Sequence, residues 1–354
     1  MNNSAVDAAP SHRETGASTD LLARRRLVGW VGLLIVAGLA AGVATGAAGF
    51  SIKAFWADLN GPDAALLIGQ IRAPRTLGAA VVGALLGLSG AIAQGLFRNP
   101  LADPYLLGSA TGASLGVVSV LASAGLGGVY INIAAVAWIE RLGLVTAAFI
   151  GAVIGVSLTL VLARGAVHTL RLLLAGIVVG VLLGAVSDLI TLVSPDALSG
   201  KQAFMLGSTS FLGWHALALM GAGLVVVSAV AGRYARALDA LTLGEESATS
   251  LGLDLGRARL ALVLVLSLGT SLAVSQAGLV AFIGLVAPHL VRRAAPGTHA
   301  WLLLASAGMG AAVLLWADVI SRAVIAPQEL PVGIVTAVLG GTYLVWLLKQ
   351  RAVA

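Results

Sequence analysis

Long apolar runs alternate with short polar segments along most of the chain. Runs of spanning length lie at about 27–50, 74–97, 105–126, 142–163, 170–194, 211–232, 257–274, 279–293, 301–323 and 331–350. A helix needs about 20 consecutive, mainly apolar residues to cross a bilayer. The pattern therefore predicts an all-α integral membrane protein with about ten transmembrane helices. The seventh and eighth runs share one apolar stretch, in which we expect a turn near 275–278.

Composition agrees with this class. Of 354 residues, 59% are hydrophobic and 10% are charged, whereas soluble domains have roughly 25% charged residues. Gly38, Gly42 and Gly46 fall on one helical face, as do Gly176, Gly180 and Gly184, and small residues let helices pack closely in lipid. The chain has no cysteine, which excludes disulfides and thiolate sites.

Basic residues predict the orientation. Residues 1–23 are polar and are expected to form a disordered cytoplasmic tail, with the transmembrane domain over 24–354. A signal peptide is the alternative, but the apolar run after Arg24–Arg26 is too long and the leader carries acidic residues. With both termini cytoplasmic, most basic residues lie inside, as the positive-inside rule requires. The outer exceptions are Lys53, Arg72, Arg75, Arg141, Lys201 and Arg322. The net charge of +6 therefore reports topology and does not indicate nucleic-acid binding.

The hydrophilic segment 233–259 separates two groups of spans. Apolar residues recur in it at roughly helical spacing, while Gly244 interrupts the pattern. Glu245 and Glu246 follow in what would be a first helical turn, where negative charge favours the helix dipole. We interpret the segment as two short amphipathic helices joined at Gly244 on the membrane surface. A solvated loop is the alternative that this pattern alone leaves open.

Several polar residues fall within or beside predicted spans, where they normally face protein or a cavity. Asp188, in the same span as Gly180 and Gly184, is a candidate for the translocation path, or a hydrogen-bonded packing residue near the outer interface. His289 follows Pro288 and is expected to cap or pack; no metal site is predicted. Gly200-Lys201 lacks the spacing of a phosphate-binding loop. We therefore expect no ATP binding, no catalytic residues and no enzymatic activity in this chain.

One loop between spans is rich in helix-breaking residues. It reads Arg98-Asn-Pro-Leu-Ala-Asp-Pro-Tyr-Leu-Leu-Gly108. Pro100 and Pro104 interrupt helix geometry, and Asn99 and Asp103 can cap the next helix. This pattern predicts a rigid turn on the cytoplasmic side.

This loop resembles the hallmark of the permease family of ABC importers for iron-siderophores, haem and cobalamin, the FecCD-type importers. Further segments agree with that family in order, from about residue 70 to 350. They are Arg72-Ala-Pro-Arg75, Gly90-Ala-Ile-Ala-Gln94, Leu243-Gly-Glu-Glu-Ser-Ala-Thr-Ser-Leu-Gly252, Phe282-Ile-Gly-Leu-Val-Ala-Pro-His-Leu-Val-Arg292, Ala317-Asp318 with Arg322, and Glu329-Leu-Pro-Val-Gly333. Gly340-Gly-Thr-Tyr343 departs from the family's usual Gly-Ala-Pro-Phe type sequence.

The resemblance implies a type II ABC importer permease fold that works as a homodimer in the bacterial inner membrane. Two cytoplasmic ATPase subunits would bind ATP and magnesium, and a periplasmic binding protein would deliver substrate. Within Arg233–Arg259, the coupling helices would dock on the ATPases through Leu241, Leu243, Gly244, Glu245, Glu246, Leu251 and Gly252. A periplasmic pocket would receive acidic residues of the binding protein at Arg72, Arg75 and Arg322.

The implied function is ATP-driven import of haem or a ferric siderophore, or of cobalamin, by alternating access. The alternative is a secondary transporter driven by an ion gradient. Such a protein needs paired or relay-forming ionisable residues at membrane depth. Here only Asp188 and Asp318 are candidates, and the sequence shows no obvious intramembrane partner for either.

Overall fold

The computed structural model describes residues 12–46, 49–126, 133–166, 168–250 and 252–353. The α-helices of these residues are α1 (His12–Ala44), α2 (Ile52–Leu59), α3 (Ala73–Leu96), α4 (Ser109–Leu126), α5 (Ile133–Leu162), α6 (Thr169–Val193), α7 (Pro195–Leu206), α8 (Trp214–Arg233), α9 (Ala235–Thr242), α10 (Glu245–Ser250), α11 (Leu255–Ala277), α12 (Ile283–Ala294), α13 (His299–Ala323) and α14 (Val332–Val353). A π-helical segment (Ala65–Arg72) leads into α3, and a 3₁₀ turn (Pro104–Leu107) precedes α4. Strands β1 (Thr45–Gly46) and β2 (Gly49–Phe50) pair antiparallel.

Each of the ten predicted apolar runs falls on one helix: α1, α3, α4, α5, α6, α8, α11, α12, α13 and α14. Within the described ranges, seven helical stretches are long and apolar enough to cross a membrane. Apolar stretches of α4 and α14 are shorter, and α12 has only 12 residues. The all-α membrane class is confirmed.

Some boundaries differ from the prediction. The run 27–50 ends as a helix at Ala44, because Gly46 and Gly49 belong to the β1–β2 hairpin and Gly49 has φ +81. Residues 12–23, predicted to be disordered, are part of α1. A formed span extends cheaply, since each added residue gains a hydrogen bond. Residues 1–11 lie outside the described residues.

Two helices occupy outer segments that the hydrophobic pattern left as loops. They are α2 and α7, whose first turns are capped by the side chains of Ser51 and Ser194. Ser51 Oγ accepts from Ala54 N at 3.3 Å and Ser194 Oγ accepts from Ala197 N at 3.4 Å. A serine before an apolar run, with proline next at 195, is a helix-start signal.

The core is built on an antiparallel pair, α3 and α13. From the start of α3 to its end, the contacted residues lie progressively earlier in α13. Arg75 meets Asp318, Gly83 meets Gly310, and Gly95 meets His299. A Cβ at Gly83 would collide with the carbonyl of Gly310. The two backbones therefore approach each other as closely as small residues permit.

Other helices surround this pair. The helices α8, α11 and α12 also pack on α3, and Leu85, Leu88 and Ile92 of α3 are fully buried. In contrast, α6 packs against α4 and α5 and leaves much of its apolar surface open, with Val181 67% exposed. The chain thus has a protein-wrapped centre and a peripheral helix with an uncovered face.

Candidate functional site

A buried carboxylate organises one end of the α3–α13 pair. Asp318 is 0% exposed. Its Oδ1 accepts from Arg75 Nε at 3.2 Å, Arg75 Nη2 at 3.1 Å and Thr209 Oγ1 at 2.5 Å. Its Oδ2 accepts from Arg322 Nη2 at 2.6 Å. A buried charge needs such partners because its desolvation is costly, so Asp318 and the two arginines form one unit.

Glu329 extends this unit toward the surface. Arg75 Nη1 donates to Glu329 Oε1 at 2.9 Å, and Ser210 Oγ donates to Oε2 at 2.9 Å. Burial alone would raise the pKa of the Glu329 carboxyl, but the hydrogen bond and charge of Arg75 outweigh it and hold that pKa below its ordinary value. The Glu329 side chain is 35% exposed, so it is the acidic group of this unit that solvent can reach.

The same unit fixes the end of α1. Arg322 Nη1 donates to the carbonyl oxygens of Gly42 at 2.8 Å and Thr45 at 3.0 Å. Arg72 pairs with Asp58 of α2. A Cβ at Gly46 would collide with the guanidinium of Arg72. Of the predicted small-residue face, Gly42 of α1 and Gly46 of β1 therefore pack on this cluster.

The structure brings the three predicted docking arginines together but does not present them as an open pocket. Arg72, Arg75 and Arg322 are 9%, 8% and 3% exposed. Their charges are met by Asp58, Asp318 and Glu329 inside the chain, because burying an unpaired guanidinium is costly. Among the described atoms, Arg72 Nη1 is buried and makes no hydrogen bond. A role in docking stays a prediction, and Arg72 would have to expose this buried nitrogen to bond a partner.

At the other end of the pair lies the hydrophilic segment. The helices α9 and α10 meet at Gly244, as predicted, and Gly244 has φ +106, which favours glycine. Leu238 and Leu241 are buried, whereas Leu243 is 68% exposed. Gly252 also has a positive φ, at +77. Leu251 lies outside the described residues, and α10 begins at Glu245 with Glu246 next.

A hydrogen-bonded pair ties α9 to α13. Asp239 Oδ1 accepts from the backbone N of His299 at 2.9 Å and lies 2.7 Å from its Nδ1. His299 is the first residue of α13, so the Asp239 carboxylate caps that helix from another element. A movement of α9 would therefore reach α13 directly.

The proline-rich loop forms the rigid turn that its sequence predicts. Asn99 Oδ1 accepts from Leu101 N at 2.9 Å, and Asp103 Oδ1 accepts from Tyr105 N at 2.8 Å, which caps the 3₁₀ turn. Pro104 packs so closely on α12 that a Cβ at Gly284 would collide with its ring. Pro100 lies in the exposed turn before Ala102. The loop thus connects α3 to α12 as well as to α4.

The segment around Pro288 faces the last helix. Pro288 lies inside α12 and is buried. The His289 ring lies edge-on to Tyr343 of α14, with 5.7 Å between ring centroids. This contact agrees with the predicted packing role of His289. Tyr343 is the last residue of the segment Gly340-Gly-Thr-Tyr343.

The candidate path residues lie on α6. Asp188 is 74% exposed in its side chain and pairs with Lys201 of α7. A Cβ at Gly180 would lie 3.8 Å from Thr111 Oγ1, and one at Gly184 would meet no described atom within 4 Å. Gly176, in contrast, packs against the Leu106 carbonyl. The predicted glycine face is therefore used inside the chain only at Gly176.

The sequence showed no obvious intramembrane partner for Asp188 or Asp318, and the structure gives both carboxylates a partner. Lys201 meets the first, and Arg75 with Arg322 meets the second. The i, i+4 spacing of Asp318 and Arg322 on one helix is a recognisable signal for the latter pair. The contributions of Asp58, Thr209, Ser210 and the α1 carbonyls carried no such signal, because they come from distant parts of the chain.

Known permeases are similar to this chain along most of its length. The sequence model of the FecCD transport family matches residues 33–350. The chain is 38% identical over 333 residues to the hemin transport system permease protein HmuU of Yersinia pestis, covering 92% of this chain and 96% of that protein. It is 40% identical over 287 residues to the vitamin B12 import system permease protein BtuC of Klebsiella pneumoniae subsp. pneumoniae, covering 80% and 83%.

The fold has a solved counterpart. A metal-chelate type ABC transporter in an inward-facing conformation matches with a TM-score of 0.77 at 24% identity, over 92% of this chain and 99% of that chain. At this identity the likeness concerns the fold alone. The predicted ABC importer permease fold is confirmed.

Proposed function

This chain belongs to the FecCD transport family, and from that premise we propose that it is the membrane-spanning half of an ATP-driven importer working by alternating access. Its partners would be a second copy of the chain, two cytoplasmic ATPase subunits that bind ATP and magnesium, and a periplasmic binding protein. Both termini would lie in the cytoplasm of a bacterial cell. The chain itself would bind no cofactor.

One observation carries the proposal: the charge unit and the α9–α10 segment lie at opposite ends of one helix pair. Arg75 stands at the start of α3 and meets Asp318, whereas Gly95, near its end, lies against His299 and Leu238 of α9. Twenty residues of helix separate Arg75 from Gly95, which is about 30 Å at a rise of about 1.5 Å per residue. That distance equals the hydrocarbon thickness of a bilayer.

The pair offers a direct mechanical connection. Closure of the ATPases would push α9 and α10, with Leu243 exposed at the joint as an apolar contact. Asp239 would pass that displacement to α13 through His299. Because α13 carries Asp318 at its far end, the outer charge unit would shift with it. This geometry supports a rocking motion of packed helices, which is a familiar form of conformational switching.

The open face of α6 is the proposed place for the second copy and for the path. Gly180 and Gly184 leave room there, and Asp188 and Lys201 stand beside them. Small residues allow close approach of helices in lipid. A path between two such faces would be largely apolar, which suits a large chelate or macrocycle.

The substrate class follows from the relatives. Their names give hemin and vitamin B12. We therefore propose haem or a ferric siderophore as the substrate, with cobalamin as the third candidate. All three are large, rigid metal complexes, so the same wide, weakly polar path could pass them.

The test is uptake into proteoliposomes that contain the permease with its ATPase and binding protein. We expect uptake of haem, a ferric siderophore or cobalamin when ATP is supplied on the side of the membrane that carries the ATPases. We expect no uptake when a non-hydrolysable ATP analogue replaces ATP. An ion-gradient transporter would instead take up substrate without ATP and stop when ionophores dissipate the gradient. That result would overturn the proposal.

A further inference from the structure

A groove of about 280 Å³ runs between α1 and α13 on the outside of the bundle. Its lining is almost wholly apolar and includes Leu27, Val31, Gly32, Ile35, Trp301 and Leu304. The groove is open because two glycines line it. A Cβ at Gly32 would meet no described atom within 4 Å, and one at Gly308 would touch Val31 at 3.3 Å.

One wall of the groove is held in place by specific contacts. Trp301 Nε1 donates to the Ala295 carbonyl at 2.9 Å. The Arg24 guanidinium carbon lies 5.9 Å from the centroid of the Trp301 ring. Arg24 also donates to the Pro296 carbonyl through Nε at 3.2 Å and Nη2 at 3.1 Å. The ring is therefore positioned from two sides, and a positive charge stands beside it.

One more arginine continues this charge. Arg25 is exposed and lies three residues before Val28, another lining residue. Residues three apart share one helix face, and side chains lean toward the helix N-terminus. Arg25 thus extends beyond the end of the groove, away from its apolar walls. The result is an apolar slot that ends in two positive charges, Arg24 and Arg25, whereas Arg26 lies on another face of α1.

We propose that this groove binds an anionic phospholipid, with an acyl chain between α1 and α13 and the phosphate beside Arg24 and Arg25. Charge complementarity selects the headgroup, since clustered arginines beside a membrane span attract anionic lipid. The apolar lining selects the chain. The site concerns the lipid-facing side of the bundle and does not depend on the transported substrate.

Trp301 provides the readout, because a brominated acyl chain quenches tryptophan fluorescence on contact. The protein would be reconstituted in vesicles of phosphatidylcholine with a fixed fraction of brominated phosphatidylglycerol or brominated phosphatidylcholine. Since the chain has 7 tryptophans, the Trp301 signal is the difference between the parent and Trp301→Phe. We expect brominated phosphatidylglycerol to quench Trp301 more strongly than brominated phosphatidylcholine does. The affinity for phosphatidylglycerol relative to phosphatidylcholine should fall about fivefold for each arginine removed from the site.

Matched variants separate the site from general effects. Arg25→Gln should weaken the preference for phosphatidylglycerol, whereas Arg26→Gln, equally exposed but on another face of α1, should retain it. Gly32→Leu should fill the groove and reduce quenching by either lipid. Gly29→Leu is the control, because a Cβ there also meets no described atom within 4 Å and Gly29 does not line the groove.

Equal quenching by the two lipids would overturn the proposal. An equal loss of preference in Arg25→Gln and Arg26→Gln would also overturn it, since it would assign the effect to net charge. Undiminished quenching in Gly32→Leu would show that the acyl chain lies elsewhere.

Discussion

Helices α3 and α6 are both apolar enough to span a membrane, yet their surroundings differ. An 18-residue window of Ala65–Leu96 has a mean hydropathy of 1.9 and 83% of its residues are buried, whereas the corresponding window of α6 has a mean hydropathy of 2.4 and 28% of its residues are buried. Both carry closely spaced glycines. Gly83 and Gly87 of α3 meet backbone of α13 and Gly90 meets backbone of α12, while Gly184 of α6 meets open space within the described structure. Hydropathy thus identifies a span but does not tell a core helix from one that faces lipid or a partner.

The same contrast holds for the two carboxylates of these regions. Asp318 lies in the wrapped centre, where Arg75, Arg322 and Thr209 satisfy it. Asp188 lies on the open helix with Lys201 as its partner. A charge at the centre therefore serves packing, whereas a charge on the open face remains available to whatever covers that face.

The largest expected effect comes from exchanging these carboxylates for amides. Asp318→Asn leaves Arg322 buried without a counter-charge and Arg75 with Glu329 alone, which should lower the free energy of unfolding by about 3–5 kcal/mol. Asp188→Asn should lower it by at most about 1 kcal/mol, because the Asp188 side chain is 74% exposed. Unfolding titrations in detergent would measure both. Equal losses for the two variants would contradict the contrast between centre and periphery.

Asp188 has a separate functional prediction. Asp188→Leu removes the charge from the open face while leaving the chain's own core unchanged, so it should lower uptake more than it lowers dimer yield. Lys201→Met serves as the control for loss of the ion pair alone. Unchanged uptake in proteoliposomes for Asp188→Leu would leave Asp188 with only a surface role.

A smaller effect is expected from paired glycine substitutions. Gly83→Ala places a methyl group against the Gly310 carbonyl and should destabilise the chain by about 1–3 kcal/mol through overpacking. Gly184→Ala should be neutral or stabilise α6 by up to about 1 kcal/mol, as alanine favours helix. If α6 meets a second copy, Gly184→Leu should reduce the dimer fraction in mass photometry without lowering monomer stability. A dimer fraction equal to that of the parent would place the interface elsewhere.

The smallest effect concerns pH at the surface of the charge unit. The pKa of Glu329 is held below its ordinary value, so its contribution to stability is fully present above about pH 4.3, the ordinary value, and is lost as pH falls through the lowered one. Glu329→Gln should lower the free energy of unfolding at pH 7 by at most about 1 kcal/mol, because partial exposure screens the pair of Glu329 and Arg75. The loss would be measured as a lower melting temperature. The difference between parent and variant should shrink below about pH 4. A difference that persists there would assign the loss to packing.

Much of the secondary structure could be predicted from the sequence, because spans and breaks are local properties. Hydropathy marks the apolar runs, Gly244 marks the joint of α9 and α10, and Asp103 marks a capped turn. The antiparallel register of α3 and α13 is not local, since it depends on which glycine meets which backbone. For that reason the arginines were expected in an open pocket, whereas the register places Asp318 beside Arg75.

Sequence also could not show which polar side chains are accessible. Asp58 approaches Arg72 through α2, and Ser210 approaches Glu329 from the loop after α7. Neither element has a strong hydrophobic pattern. In the sequence, Leu243 stood out only as part of a motif. In the structure it is 68% exposed. Its exposure makes it a candidate contact for an ATPase.

The central claim is that the two ends of the α3–α13 pair serve different partners. The most direct test measures the dissociation constant of the binding protein for the permease–ATPase complex in nanodiscs at two ionic strengths. ATP-driven uptake is measured for the same variants. Arg72→Ala should weaken binding of the binding protein about tenfold or more, and Arg72→Glu should weaken it further. Basal ATPase activity should be unchanged in both variants. Gly244→Pro, which cannot adopt the φ of +106, should abolish uptake while the binding protein binds as to the parent. If both Arg72 variants bind like the parent at both ionic strengths, or Gly244→Pro retains full uptake, the division between the two ends is contradicted.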